Sequence, residues 1–333
     1  MSLPPVEIPL GAMRFNSDSQ KLEYWNGEIW MQIHTFSPNL DGGPRGIWAG
    51  GSTPTVLATI DYINIASAGN AADFGDLNEV KTGGAPSSSN TKGIFAGGYN
   101  GPSRTANSSY IIMSSTGAGV DYNDLSNSVS GAAGLGNQTR GIVAGGTTGS
   151  YINVIESTEI AAGTDWIDFG DSTAAFQTGS GCASSTRGVF NLGAAPARVN
   201  TIDYITIASA GNASDFGDLT VTRNGTGALS NSIRGIWGAG ETPSVVARMD
   251  YVTLATLGNA VEFGDMLSGR YNIPGDGASS PTRGVWGGGA APSNSDVIQY
   301  ITIATQGDAV DFGNLTAAAQ HKSAISNAHG GLG

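Results

Sequence analysis

The segment "IDYINIASAGNAADFGDLN" at residues 60–78 returns as "IDYITIASAGNASDFGDLT" at residues 202–220, identical at 16 of 19 positions. A chain that repeats itself this closely is built from copies of one unit, and the repeat length decides which architectures are open to it. A second phrase supplies that length. "RGIWAGG" begins at Arg45, "KGIFAGG" at Lys92, "RGIVAGG" at Arg140, "RGVFNLG" at Arg187, "RGIWGAG" at Arg234 and "RGVWGGG" at Arg283, with spacings of 47, 48, 47, 47 and 49 residues. Each copy is followed by a form of the first segment, with "DFGDL" or a relative at Asp73, Asp121, Asp168, Asp215, Glu262 and Asp311. The chain therefore holds six repeats, and the two best-matched copies stand three repeats apart.

Each repeat reads as four short strands. In "IDYITIAS" the alternating sets Ile202, Tyr204, Thr206, Ala208 and Asp203, Ile205, Ile207, Ser209 both contain apolar residues, as in a strand covered on both faces. The "GIW" segment is β-branched and aromatic and ends in a glycine pair, and "SAGNASD" supplies the Gly, Asn and Asp of a hairpin turn. Composition agrees: glycine fills 51 of 333 positions, about twice the usual share, and charged residues make up 13%, about half of it. No segment keeps a 3.6-residue period. Helical repeats of this length are excluded, and the four-stranded blade of a propeller remains.

The two ends differ from the repeats. The tail "HKSAISNAHGG" at 321–331 resembles the first-strand phrase "NGTGALSNSIRG" at 224–235, yet no "GIW" strand follows it, whereas the copy at Arg45 lacks a first strand. The C-terminal strand is expected to complete the blade begun at Arg45 and so close the ring, which leaves only short, protected edges. Residues 1–40 stand outside the repeat. There "GAMRFNSDSQKLEYWNGEIWMQI" alternates strand-like pieces with "NSDSQ" and "NG" turns, a small β module with too few residues for a large core of its own. The expected division is a module at 1–40 and a six-bladed propeller at 41–333.

The repeat resembles the kelch repeat over about residues 41–333, through the glycine pair closing the second strand, the "DY" strand after it and an aromatic early in the fourth strand. Gly50 and Gly51, Gly97 and Gly98, Gly145 and Gly146, and Gly288 and Gly289 fit the pattern; Leu192 and Ala239 stand where the first glycine belongs, and the fourth-strand aromatic is Phe or Tyr instead of Trp. The leader resembles short β modules of the form "GAIRYN…KLEYYNG…W" in phage tail-fibre and other virion proteins. The glycine-rich repeats are likewise similar to structural proteins of phages that infect marine cyanobacteria. This resemblance implies an all-β, kelch-like virion protein made in the host cytoplasm, assembled in multiple copies onto the particle and joined to other virion proteins through the leader, with Trp25 and Trp30 as anchors. It implies a non-enzymatic tail fibre or receptor-binding appendage that recognises host-surface glycan or protein. A head or tail decoration protein and a glycan-cleaving propeller enzyme are the alternatives.

Charge and motif spacing narrow the chemistry. A formal charge of −12 argues against a nucleic-acid partner, which needs clustered Lys and Arg, and against an anionic membrane surface. No run of 18 apolar residues is present, so no membrane insertion is expected. The single cysteine, Cys182, cannot form an internal disulfide, and no Cys/His cluster points to zinc. Four copies of "DFG", at Asp73, Asp168, Asp215 and Asp311, occur without a catalytic "HRD" loop and read as architecture. The acid pairs Asp73/Asp76 and Asp215/Asp218 have oxygen ligands for calcium, but are expected to cap turns and to pair with the six strand-opening bases Arg45, Lys92, Arg140, Arg187, Arg234 and Arg283. The sialidase signature is absent, and His34, His321 and His329 share no repeat position. No catalytic, cofactor or metal residue is assigned. Trp48, Trp237 and Trp286 share a central-strand position that favours packing between blades.

What varies between repeats is the loop after each glycine pair: "YNGPSRTANSS", "TTGSYINV", "APARVN", "ETPSVVAR". Propellers usually place this connection on the same face as the loop between blades, and variable loops on a rigid scaffold are the ordinary design of a binding surface. Tyr99, Arg104, Tyr151, Arg198 and Arg248 are the candidate contact residues.

Overall fold

Apolar residues at alternating positions, with turn residues between them, leave strand as the conformation these repeats support. A computed structural model of the protein describes residues 8–16, 21–32, 44–272 and 277–332; His34 and the "NSDSQ" turn beyond Asn16 lie outside the described residues. Among the described residues the chain is all-β, with one short 3-10 turn at Gly330–Leu332. It divides into two compact units, Met1–Asp41 and Gly42–Gly333.

The first unit contains a three-stranded antiparallel sheet of Met13–Asn16, Lys21–Trp25 and Trp30–Gln32. The "NG" pair turns its second hairpin: Gly27 takes φ +101°, and Asn26 Oδ1 accepts the backbone N–H groups of Glu28 and Ile29 at 2.9 and 2.8 Å. Met13 stands opposite Tyr24, and Tyr24 opposite Met31, so these three and Phe15 share one face of the sheet, where all four are exposed. Trp25 and Trp30 form a cross-strand pair on the other face, 5.5 Å between ring centroids, and the Arg14 guanidinium lies 4.2 Å over Trp30 while bonding Glu23 at 2.8 Å.

Among its described residues the second unit has a propeller-like all-β architecture of six four-stranded antiparallel sheets and two small two-stranded ones; the six are numbered 1 to 6 by their second strands: Arg45–Ala49, Lys92–Ala96, Arg140–Ala144, Arg187–Asn191, Arg234–Gly238 and Arg283–Gly287. Sheet 4 is representative, with strands Ser180–Ala183, Arg187–Asn191, Thr201–Thr206 and Ser214–Asp218 in that order. Sheet 1 takes its first strand from the C-terminus: Ser323–Ser326 pairs with Arg45–Ala49 in the register Ser323↔Ala49 to Ser326↔Gly46. The first strands of sheets 2 to 6 lie side by side in sequence, and Ser323–Ser326 lies beside those of sheets 6 and 2. The core sits between successive sheets. Trp48, Trp237 and Trp286 are buried there as expected, and the indole N–H groups of Trp237 and Trp286 donate to Ser180 O and Gly227 O of the preceding sheet at 3.1 and 3.0 Å.

The repeated segment of residues 60–78 and 202–220 joins one sheet to the next. Its turn reaches back to the preceding sheet: Gly211 N–H donates to Phe169 O and Ala213 N–H to Asp171 O, while Asn212 Oδ1 accepts Asp171 N–H. The same backbone pairing recurs from Gly69, Gly117, Gly258 and Gly307, so these turns pair with the outer edges of the fourth strands. The glycine of "DFG" is required by this close approach. Gly217 sits in a bulge at φ +144°, and a Cβ there would lie 2.5 Å from Gly258 O of the next sheet. The "Asp" of "IDY" is buried and accepts from the residue two places past the "DFGD" aspartate of the preceding sheet. Thus Thr173 donates its N–H and Oγ1 to Asp203 at 2.8 Å, and Thr220 Oγ1 donates to Asp250 at 2.7 Å. Cations complete two of these joints, with Arg223 bonding Asp250 and Lys322 bonding Asp61, both at 2.9 Å between fully buried side chains. Burial lowers the Arg223 pKa against the pull of Asp250; at Asp203, which has no cation, burial raises the carboxyl above its ordinary value despite the Thr173 bonds.

One expectation is overturned here. The strand-opening bases do not pair with the "DFGD" acids, which are largely exposed. Arg45, Arg140, Arg187, Arg234 and Arg283 donate instead to backbone carbonyls of the next sheet, Met113, Ile207, Leu254, Ile303 and Ile65. Each also lies over an aromatic ring, such as Tyr62 beneath Arg45 and Tyr204 beneath Arg187. A planar guanidinium fits this position because it stacks and still presents N–H donors at its edge.

Candidate binding face and its central well

The variable loops and the connections between sheets meet on one face. Isolated antiparallel bridges join them at every sheet: Ser52 with Gln320, Thr82 with Tyr99, Ser130 with Thr147, Gln177 with Ala194, Asn224 with Glu241 and Tyr271 with Ala290. One residue further on, each connection adopts left-handed backbone: Gly83, Gly131, Thr178, Gly225, Asn272 and His321, with φ between +53° and +65°. Five backbone hydrogen bonds link these six residues. Gly131 N–H donates to Gly83 O, Thr178 to Gly131, Gly225 to Thr178, Gly83 to His321 and His321 to Asn272, at 2.7 to 3.3 Å. A β-branched residue at positive φ is strained, so Thr178 marks a place where the surroundings dictate the backbone.

This arc borders a well of about 200 Å³. Its half-buried lining includes Thr82, Ser130, Gln177, Thr178, Asn272 and His321, with Tyr99 more exposed; Gly84, Ala132, Gly179, Thr226 and Lys322 are buried. Burial lowers the His321 pKa to about 4, so the ring is neutral at physiological pH. Lys322 brings a charge, but Asp61 pairs with it. Gln177 connects the well to an open groove outside it, donating Nε2–H to Tyr151 Oη at 3.0 Å. Tyr151, Pro196, Arg198, Asn224 and Pro243 line that groove, where Arg198 bonds Asn224 Oδ1 at 3.0 Å and pairs with Glu241.

The candidate residues thus fall into separate places. Tyr99 lines the well, and Tyr151 and Arg198 line the adjoining groove. Arg104 bridges Tyr99 through its backbone and lines neither, and Arg248 is engaged with Glu262 at 3.5 Å and Thr220 Oγ1 at 3.3 Å. Trp25 and Trp30 belong to the first unit and stack on each other. Sequence reasoning passed over Gln177, Thr178 and Asn272, and weighed His321 only as a catalytic candidate. Their signal was available once the six connections are aligned on "DFGD", because glycine stands at the left-handed position in three repeats and Thr, Asn and His break the pattern in the others.

At the opposite end of the second unit, Ser88, Ser230, Ser279 and Ser326 each donate a hydroxyl to a carbonyl of a neighbouring first strand, at 2.7 to 2.9 Å. His329 fixes the C-terminal turn there, Nε2–H donating to Ser88 O at 3.0 Å and Nδ1 accepting Gly331 N–H at 3.1 Å. Among the described residues no group of three or more His, Cys, Asp or Glu side chains comes together as a metal site.

Fold and face together define an all-β protein of propeller-like architecture. No protein-family model matches the chain, and no curated protein matches it.

Proposed function

We propose that Gly42–Gly333 is a closed six-bladed, kelch-like β-propeller, and that the protein is a non-enzymatic phage virion component, a tail fibre or receptor-binding appendage that presents this face to glycan or protein on the host surface. The observation that carries this reading is a division of labour. The residue types repeated from sheet to sheet, the arginines, tryptophans, "IDY" acids and "DFG" glycines, are engaged in joining sheets, while the variable residues collect on one face with an open well and groove. Closure is supported by the C-terminal strand in sheet 1 and by the hydrogen-bonded arc around the well, which runs from Gly225 through Thr178, Gly131, Gly83 and His321 to Asn272. In this reading the small N-terminal unit attaches the protein to other virion proteins.

The test is binding of labelled full-length protein to host cells, with electron microscopy of antibody-tagged particles. Saturable binding that competes with infection, and label on the tail, are expected. Label confined to the capsid with no cell binding would replace this reading with that of a decoration protein. Release of oligosaccharide from host envelope polysaccharide would replace it with an enzyme.

A further inference from the structure

We propose that the central well holds one neutral pyranose ring, the terminal sugar of a surface glycan. The proposal deepens the host-recognition reading and rests on it for the source of the sugar.

Size and chemistry select this ligand class. A volume of about 200 Å³ greatly exceeds the roughly 30 Å³ that one water occupies, and it opens on the face that carries the variable loops. Among the described residues no acidic side chain lines it, and the one cation among them, Lys322, is neutralised by Asp61 at 2.9 Å. An anionic ligand would find no uncompensated positive charge here, and a cation would find no carboxylate. An apolar ligand would fare no better, since it would cover polar groups that still need partners. The His321 imidazole has no hydrogen-bond partner among the described residues and lines the well. Gln177 gives its N–H to Tyr151 and keeps Oε1 as an acceptor; Asn272 gives Nδ2–H to Gln320 at 3.1 Å and keeps Oδ1. The exposed Tyr99 ring at the mouth adds an apolar surface beside a hydroxyl. Neutral donors and acceptors around a rigid rim, with an aromatic ring at the opening, match a ring that carries hydroxyls on its edge and C–H groups on its faces.

The rim is preformed. The backbone arc through Thr178, His321 and Asn272 holds the backbone from which the side chains would read the hydroxyls, so binding orders little.

The experiment titrates full-length protein with the methyl pyranosides of glucose, galactose, mannose and N-acetylglucosamine, with methyl glucuronoside as the charged control, followed by saturation-transfer NMR. At least one neutral glycoside is expected to bind saturably. His321→Asn and Gln177→Ala are each expected to weaken it by about tenfold, the loss of one hydrogen bond with the other partner left buried, at unchanged melting temperature. Asn already occupies the corresponding left-handed backbone at Asn272, φ +53°, so His321→Asn is compatible with the fold. Absence of binding by every neutral glycoside, preference for the glucuronoside, or indifference to both substitutions would overturn the proposal. Cell binding without glycoside binding removes the well and leaves the proposed function; glycoside binding without cell binding supports the well and removes the function.

Discussion

The two units treat the same strand pattern in opposite ways. In the first, Met13, Phe15, Tyr24 and Met31 share a sheet face and remain 39 to 65% exposed. In the second, Ile47, Ile60, Trp237 and Phe190 are 0% exposed, because each sheet is covered by its neighbours. A three-stranded sheet with an uncovered apolar face draws little stability from burial, whereas stacked sheets bury both faces of their strands. The contrast teaches where stability resides in this chain: in the joints between sheets, and hardly at all within any one sheet.

The largest effect is therefore expected from opening one joint. Deletion of residues 318–333 removes Ser323–Ser326 from sheet 1, bares the edge of Arg45–Ala49 and takes Lys322 from the buried Asp61. The shortened protein is expected to lose cooperative thermal unfolding or to associate through the open edge, as read by calorimetry and size-exclusion chromatography. A truncated monomer with the parent melting temperature would show that the C-terminal strand closes nothing.

Next comes a contrast between two ion pairs of like chemistry. Arg223 and Asp250 face each other at 2.9 Å with both side chains 0% exposed, whereas Arg14, at 2.8 Å from Glu23, is 47% exposed. Arg223→Met leaves a buried carboxylate with only Thr220 and is expected to cost about 3 to 5 kcal/mol. Arg14→Met is expected to cost less, about 1 to 2 kcal/mol: the Glu23 side chain is only 5% exposed, but Asn16 still donates to it at 2.9 Å and the guanidinium it loses is itself half in water. Denaturant unfolding of both variants decides it; equal losses would place the joints and the half-exposed pair on the same footing.

These joints also mark the limit of what the sequence made legible. The four strands of each repeat follow from apolar alternation and glycine placement, which are local signals, and the six-copy period and the pairing of the C-terminal strand with the strand from Arg45 follow from phrases that recur along the chain. Partner choice is not local. Six bases beside six acids invited a salt-bridge reading, yet Arg187 bonds Leu254 O, some 67 residues away, and Asp203 bonds Thr173 of the preceding sheet. The acids that matter for packing lie inside "IDY": the apolar alternation marks that strand as covered on both faces, but does not say which residue of the neighbouring sheet the buried aspartate meets. The well was illegible for the same reason. Gln177, Asn272 and His321 are 49 to 144 residues apart pair by pair and meet only because three connections converge.

pH separates the units further. His329 is held as the Nε2–H tautomer between Ser88 O and Gly331 N–H, and burial lowers its pKa to about 4. An unfolded histidine takes up its proton near pH 6.5. The folded state thus binds fewer protons between these values, so the stability this group allows is complete above about pH 6.5, declines as the pH falls and is gone by about 4. Melting temperatures at pH 7, 5.5 and 4.5 are expected to fall less steeply for His329→Gln than for the parent. Parallel profiles would show that His329 carries none of the acid sensitivity.

The smallest effect on stability is expected where the comparison began, on the uncovered face of the first unit. Phe15 is 65% exposed and Phe312 is 3% exposed. Removing the buried ring by Phe312→Ala should cost about 3 to 5 kcal/mol, whereas Phe15→Ser should change folding by less than about 0.5 kcal/mol. Attachment is a different readout of the same residue. If the first unit joins the protein to a particle, its free apolar face is the part that gains most from being covered, because Trp25 and Trp30 already cover each other and Arg14 lies over Trp30. Phe15→Ser with Met31→Ser is then expected to leave the melting curve unchanged and to abolish incorporation into particles, while Trp30→Ala weakens the hairpin. Normal incorporation of the double variant, with loss of incorporation for a folded Trp30→Ala protein, would move the attachment surface to the tryptophan face that the sequence had pointed to.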